Sequence, residues 1–128
     1  IRDSYEANVF TIRDCIEVIH ASVDKPDVII GTGGGTRSEL CNQMKADCLG
    51  IPFQVMESEN ATGIGAGMLA GAAAGLFSTP EDAIEVYVKK GKLYEPNPAK
   101  KAAYDEAYAA YLKCQQTCQS LFRRYQNP

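Results

Sequence analysis

The first part of the chain alternates between helical and extended hydrophobic patterns. Apolar residues in the segment 4–22 recur every three or four positions with charged residues between them, which predicts an amphipathic helix. The run 27–30 then reads Asp-Val-Ile-Ile, and a short β-branched run without alternation is typical of a buried parallel strand. A second short strand is predicted at 53–56 and an apolar helix at 61–76.

A further helix is predicted between the two strands. Thr36 can cap its first turn, and Glu39, three residues later, completes a capping box. Gly50 followed by Pro52 is expected to end the helix. Three residues are expected on its inward face: Leu40, Met44 and Cys48.

The second half of the chain is predicted to be helical. A short helix is expected to begin at Pro80, and Asn97 with Pro98 marks the start of a last long helix reaching about residue 124. Tyrosines 104, 108 and 111 recur on one face of this helix and are expected to pack inside. Strands alternating with helices indicate an α/β layer with parallel pairing. Because two strands make a poor sheet, further strands are expected from residues outside this chain.

Small residues dominate the apolar helix at 61–76. Glycines recur there every four positions, at residues 63, 67, 71 and 75, so one side of the helix is flat enough for another backbone to approach. The run is shorter than the roughly 20 residues that a bilayer requires. We therefore expect this helix to pack on the sheet, in preference to a membrane or dimerisation role.

Composition narrows the class of protein. The 128 residues are 45% hydrophobic with a formal net charge of −3, and no basic cluster exceeds a pair, which argues against a nucleic-acid partner. The five cysteines form no CxxC pair and there is one histidine, so a metal site is poorly supported. Free thiols packed as small hydrophobic groups indicate a cytoplasmic protein.

The most informative segment is the glycine turn, residues 31–36, which reads Gly-Thr-Gly-Gly-Gly-Thr between the first strand and the helix after it. Glycine has no Cβ, so a ligand can lie directly against the backbone. The start of a helix presents unpaired N–H groups and a partial positive charge. The segment therefore has the properties of a phosphate or nucleotide site.

Spacing alone leaves three interpretations of the glycine turn. It could be a tight strand-to-helix turn without a ligand, although three consecutive glycines are entropically costly. A dinucleotide fingerprint requires a further glycine where Thr36 stands. A phosphate loop of the Walker type requires a Gly-Lys-Ser/Thr sequence, which this chain lacks. The residues themselves predict a nucleotide site of unspecified kind.

Two segments together carry a resemblance to a known family. Residues 28–38 read Val-Ile-Ile-Gly-Thr-Gly-Gly-Gly-Thr-Arg-Ser, and residues 43–52 read Gln-Met-Lys-Ala-Asp-Cys-Leu-Gly-Ile-Pro. With the glycine-rich helix that follows, they resemble the C-terminal domain of the FGGY carbohydrate kinases, xylulokinases in particular. The segment Tyr94-Glu95-Pro96-Asn97-Pro98 and its tyrosine-rich helix resemble the end of that domain. The resemblance is most specific over residues 28–75.

This resemblance implies the C-terminal portion of an actin-like (ribonuclease H-like) ATPase domain, helix-rich with a few parallel strands. ATP with Mg²⁺ would bind in a cleft, with Gly33, Gly34 and Gly35 along its phosphates and ribose and Ser38 near the adenine edge. The family's catalytic Asp and its sugar-binding residues match nothing here, so no catalytic residue is assigned to this chain.

The implied function is part of an ATP-dependent carbohydrate kinase that phosphorylates a ketose such as xylulose. The chain begins at Ile1 without an initiator Met, and we expect residues 1–128 to be a partial nucleotide-binding domain, inactive alone and lacking the N-terminal sugar-binding domain. Expected partners are ATP, a small sugar and the rest of the polypeptide, without nucleic acid or membrane; a homodimer stays open. Two alternatives are a non-catalytic nucleotide-binding or interaction module and a dehydrogenase half-domain, the latter disfavoured by Thr36.

Overall fold

The computed structural model describes residues 2–58 and 60–126, which form helices around a small sheet. The elements in chain order are α1 (Arg2–His20), β1 (Ile29–Gly31), α2 (Glu39–Leu49), β2 (Phe53–Met56), α3 (Ala61–Ala73), α4 (Pro80–Tyr87), β3 (Lys90–Tyr94) and α5 (Lys101–Gln126). Short 3₁₀ helices at Gly34–Thr36 and Pro98–Lys100 precede α2 and α5. The predicted order of elements is confirmed, with β3 in addition.

The three strands form one mixed sheet in the order β1-β2-β3. β1 and β2 are parallel, with Ile29 opposite Phe53, so α2 is the crossover helix that the sequence predicts. β3 runs antiparallel to β2 and was not predicted, because the lysines and the glycine in its first half are poor strand formers. The Gln54 side chain stabilises this pairing, since its amide donates to the carbonyl of Gly91 at 2.9 Å.

The main core lies between α1, α2 and α5, which contact one another. Its buried residues are Val9, Phe10, Met44, Cys48, Tyr104 and Tyr108. Tyr111 packs against this cluster with its ring centroid 5.6 Å from that of Phe10. The tyrosines of α5 therefore lie in packing positions, as predicted. A smaller cluster of Ala46, Phe53 and Tyr94 lies between α2 and the sheet.

Arg13 joins the three helices of the main core. Its Nη1 lies 2.8 Å from Oδ1 of Asp105 on α5, and its Nε lies 2.8 Å from Oε1 of Glu17. The guanidinium also lies 4.2 Å from the ring centroid of Tyr108, a cation–π arrangement. The same nitrogen, Nη1, lies 3.5 Å from the carbonyl oxygen of Cys48 in α2. Burial tends to lower the pKa of Arg13, but its hydrogen bonds to the side chains of Glu17, Asp105 and Cys48 outweigh this effect and raise the pKa.

Two details of α2 differ from the sequence prediction. The residue that caps the helix is Ser38, whose Oγ accepts from the amide of Cys41 at 3.3 Å, because Thr36 is taken into the 3₁₀ turn before it. Leu40 is 62% exposed, whereas Met44 is buried as predicted. At the other end Gly50 closes the helix in the left-handed region with φ 62°, which confirms the predicted stop.

The glycine-rich helix α3 packs on α4, not on the sheet as the sequence suggested. Among its described residues Gly71 is the buried one. A Cβ on Gly71 would lie 2.8 Å from Cε2 of Phe77, so a larger residue there would displace the Phe77 ring. Within residues 2–58 and 60–126, no helix is long and apolar enough to cross a membrane.

The cysteines are free thiols, as predicted, but they do not all pack as small hydrophobic groups. Cys41 and Cys48 are buried, and burial raises the pKa of the Cys48 thiol. The other three, Cys15, Cys114 and Cys118, are exposed. The expectation of interior packing is therefore correct for the two cysteines of α2 and wrong for those of α1 and α5.

Candidate functional site

The glycine turn connects the end of β1 to the start of α2. Gly33 has φ 78° and ψ −168°, a conformation that side chains rarely adopt. The chain then makes one 3₁₀ turn over Gly34–Thr36 before Ser38 caps the helix. The glycine at position 33 is thus required by the backbone alone.

The glycines at positions 34 and 35 have no such structural requirement. Both have negative φ and are exposed, and a Cβ built on either would meet no heavy atom within 4 Å. Gly31 differs, since a Cβ there would lie 2.3 Å from Cζ of the buried Phe53. Because glycine costs conformational entropy, the open backbone at Gly34 and Gly35 fits a surface that a ligand approaches closely.

The carbonyl oxygens of Gly33 and Gly34 accept hydrogen bonds from residues three positions later. The oxygen of Gly33 accepts from the amide of Thr36 at 3.1 Å and from its hydroxyl at 2.7 Å. The oxygen of Gly34 accepts from the amide of Arg37 at 3.3 Å. Both oxygens therefore have donors within the chain itself.

The next two carbonyls are held by side chains of α2. The ammonium of Lys45 donates to the oxygen of Gly35 at 2.9 Å, and the side-chain amide of Asn42 donates to the oxygen of Thr36 at 2.7 Å. Lys45 and Asn42 are 6% and 1% exposed. Lys45 also lies 4.8 Å from the ring centroid of Phe53, which is within cation–π range. The buried side chains of Asn42 and Lys45 therefore fix the positions of these two carbonyl groups.

The amide groups of the turn remain as donors. In the part of the chain that the structure describes, no backbone hydrogen bond uses the N–H of Gly33, Gly34 or Gly35. Ser38 is half-buried and accepts from Cys41 at the helix start, which leaves its hydroxyl proton free to donate elsewhere. The four residues predicted for nucleotide binding thus lie on one continuous segment, and the backbone bonds of the described residues leave the amides of its three glycines unused.

An apolar groove lies beside the turn. Its volume is about 650 Å³, within the range of small-molecule sites. Residues from β1, β2 and α3 line it, including Ile30, Thr32, Met56, Ile64 and Met68. Thr32 directly precedes Gly33, so the groove and the glycine turn are adjacent.

A polar cluster on the other side of α2 anchors that helix. The Asp47 side chain is fully buried, and its carboxylate accepts from Gln43 Nε2 at 2.8 Å, Asn97 N at 2.9 Å and Lys100 Nζ at 2.8 Å. Burial tends to raise the pKa of Asp47, but the hydrogen bonds from Lys100, Asn97 and Gln43 outweigh it and hold the pKa below its ordinary value. Gln43 also donates to the carbonyl of Glu95 at 2.8 Å. The Gln-x-x-x-Asp pair thus ties α2 to the start of α5.

The sequence prediction missed Asn42 and Lys45. A usable signal exists, since Ser38, Asn42 and Lys45 are separated by four and three residues and so share one face of a helix. That face begins at the residue predicted to lie beside the nucleotide. Because this face is polar, the hydrophobic pattern did not indicate that Asn42 and Lys45 would be buried.

Among the residues described, no group of three or more His, Cys, Asp or Glu side chains could hold a metal ion.

These features define a class: an α/β domain with an exposed glycine turn between a parallel strand and a helix. Residues 2–74, more than half of the chain, match the FGGY family of carbohydrate kinases, C-terminal domain. The chain therefore belongs to this family, as the sequence resemblance predicted. The actin-like fold class is confirmed by solved structures of the family.

Individual relatives agree with this assignment. The chain is 26% identical over 106 residues, 83% of its length, to xylulose kinase from Staphylococcus epidermidis, of which it covers 21%. It is 31% identical over 104 residues, 80% of its length, to autoinducer-2 kinase from Photorhabdus laumondii, of which it covers 20%. Gluconate kinase from Lactobacillus acidophilus superposes with a TM-score of 0.84 at 23% identity, over 94% of this chain and 24% of that one. The chain thus spans about a fifth of the length of the curated relatives it matches.

Proposed function

We propose that this chain is the C-terminal part of the nucleotide-binding domain of an ATP-dependent carbohydrate kinase. The observation that carries the proposal is the open backbone at Gly34 and Gly35, which are exposed and unobstructed. The carbonyl oxygens of residues 33–36 accept from donors of the chain itself, whereas no backbone bond among the described residues uses the amides of Gly33, Gly34 and Gly35. Residues 1–128 would then form a partial domain, and the sugar-binding domain would lie elsewhere in the polypeptide.

Each predicted site residue has a role in this proposal. The amides of Gly33, Gly34 and Gly35 would donate to phosphate oxygens and lie along the ribose, as the helix-start anion sites of other proteins do. Ser38 would lie near the adenine edge, with its hydroxyl proton as the available donor. Mg²⁺ would be held by the phosphates of ATP and by groups outside the described residues, and it would neutralise charge on the transferred phosphoryl group.

The proposed reaction is transfer of the γ-phosphoryl group of ATP to a sugar hydroxyl. The hydroxyl oxygen forms the new bond to phosphorus, its proton passes to a carboxylate base, and ADP leaves. This chain would orient ATP, since positioning supplies much of the rate in phosphoryl transfer. No base is assigned to it, so the isolated chain should be inactive.

A ketose such as xylulose is the proposed substrate. The support is the similarity to the Staphylococcus epidermidis protein named xylulose kinase. Relatives and structural neighbours named for autoinducer-2 and gluconate share the same region, so a panel of sugars and sugar acids is needed to test this assignment. A cytoplasmic location and a homodimer remain predictions.

The rest of the polypeptide is the proposed partner of the β1 edge. β1 lies at the end of the sheet order, and its neighbourhood exposes β-branched residues, with Val28 40% and Ile30 58% exposed. Uncovered apolar edges of this kind are avoided in stable proteins because they promote aggregation. Ile30 also lines the apolar groove, so one covering segment could bury both features.

The test uses the full-length kinase that contains this chain. Gly35→Val is expected to raise the KM for ATP at least about tenfold, because the added side chain occupies the space of the phosphates. Its thermal stability should stay near that of the wild type, since a Cβ there meets no protein atom. Gly67→Ala is the matched control, since its Cβ is equally unobstructed and lies in α3, and its KM should be unchanged.

Two results would contradict the proposal. Unchanged ATP binding in Gly35→Val would show that the turn does not contact the nucleotide. ATP binding without ATP consumption, across ketoses, aldoses and sugar acids, would favour the non-catalytic nucleotide-binding module instead.

A further inference from the structure

We infer that Asn42 and Lys45 are positioning residues, which hold the glycine turn in the conformation that presents its amides to ATP. The inference rests on the proposed function of the turn. The two side chains bond consecutive carbonyls, those of Gly35 and Thr36, at 2.9 and 2.7 Å. Both come from one face of α2, so a single rigid element fixes the orientation of both peptide groups.

The buried charge of Lys45 is the first independent observation. Its side chain is 6% exposed, and among the described residues no carboxylate forms an ion pair with it. Its contacts are the carbonyl of Gly35 and the ring of Phe53. Burying an ammonium without a counter-ion is costly, so interior packing alone does not account for a lysine at this position. The polyphosphate of ATP on the far side of the turn would supply the missing negative charge.

The amide of Asn42 is the second observation. Its Nδ2 donates to Thr36, but its Oδ1 is buried without a hydrogen-bond partner among the described residues. An unsatisfied buried acceptor costs free energy, so interior packing alone would favour an apolar residue there. The hydrogen bond to the carbonyl of Thr36 accounts for its presence.

The physical effect of these bonds follows from the flexibility of glycine. A Gly-Gly segment has many accessible backbone conformations, including those in which carbonyl oxygens point toward the ligand and repel phosphate. Holding the oxygens of Gly35 and Thr36 inward raises the fraction of molecules that can bind. Apparent affinity falls in proportion to that fraction, so losing either bond should weaken ATP binding without altering the chemical step.

The experiment compares variants of the full-length kinase. Lys45→Met and Asn42→Leu keep approximate volume and remove the donors. Each is expected to raise the KM and Kd for ATP about tenfold, because the free energy lost with a hydrogen bond to a charged or buried group corresponds to a factor of about that size. We expect kcat and the KM for the sugar to change less than about twofold. Leucine is close in size to asparagine, so Asn42→Leu still tests the inference if Lys45→Met does not fold.

Gln43→Leu is the matched control. Gln43 is adjacent to Asn42 in α2 but bonds Asp47 and Glu95, away from the turn. This variant should lower thermal stability while leaving the KM for ATP unchanged, so it separates general destabilisation from positioning.

The outcomes distinguish the two proposals. If the wild type binds ATP and both Lys45→Met and Asn42→Leu keep its KM, the positioning role is refuted and the function of the turn stands. If the KM for the sugar rises as much as that for ATP, the residues act only through general stability and the inference is equally refuted. A wild type that does not bind ATP would overturn both proposals.

Discussion

Replacing Asp47 should show how strongly α2 is anchored. Its carboxylate is fully enclosed and accepts three hydrogen bonds, from Gln43, Asn97 and Lys100. Asp47→Ala would leave the amide of Asn97 and the side chain of Gln43 without this acceptor. It would also remove the ion-pair partner of Lys100.

The magnitude follows from these contacts. A hydrogen bond to a charged group contributes about 1.5–3 kcal/mol, whereas the Lys100 side chain is 51% exposed, so its ion pair adds at most about 1 kcal/mol. Asp47→Ala should therefore lower the free energy of unfolding by about 3–5 kcal/mol. Asp47→Asn keeps one acceptor oxygen and should cost about 1–3 kcal/mol. Lys100→Ala, which removes one of the three donors, should cost less than Asp47→Ala.

Lowering the pH should reduce the difference in the free energy of unfolding between Asp47→Asn and the wild type. The pKa of Asp47 is lower in the folded protein than its ordinary value. Its stabilising contribution is therefore fully present above about pH 3.9, the ordinary pKa, and is lost as the pH falls through the folded pKa. Urea unfolding at pH 7 and at successively lower pH measures this directly. A cost below about 1 kcal/mol for Asp47→Ala at pH 7, or an Asp47→Asn deficit unaffected by acid, would refute the reasoning.

Three further predictions concern packing, each measured by urea unfolding of the variant against the wild type. Arg13→Met should lower the free energy of unfolding by about 2–4 kcal/mol, because the Arg13 side chain is only 15% exposed and pairs with two carboxylates. An unchanged free energy of unfolding would contradict this prediction. Gly31→Ala should cost about 1–3 kcal/mol because its Cβ would overlap the Phe53 ring, and unchanged stability would argue against that packing. Gly67→Ala should raise the free energy of unfolding by up to about 1 kcal/mol, because alanine has the higher helix propensity. Gly71→Ala should raise it less, because Phe77 obstructs the added Cβ. Equal increases in the two variants would be inconsistent with the structure.

The sequence by itself determined the features that local signals encode. The helical period of α1, the β-branched run before the glycine turn and the stop at Gly50 are local patterns, and the structure confirms a helix, a strand and a helix end at these places. The expected burial of the strand was wrong, because β1 lies at the end of the sheet and Ile30 is 58% exposed. The start of the last helix at Asn97 is likewise confirmed, with Asn97 capping the 3₁₀ turn that leads into α5. The position of the candidate site could be predicted for the same reason, since three glycines between a strand and a helix are a local pattern.

Only the tertiary structure decided which polar groups are buried and which segments of low intrinsic propensity form secondary structure. β3 has poor strand propensity and exists because β2 offers it a partner and Gln54 bonds its backbone. Asn42 and Lys45 are buried because the fold places turn carbonyls within reach of their side chains. A hydrophobic pattern cannot show this, since a buried polar residue is stabilised by partners that lie elsewhere in the chain.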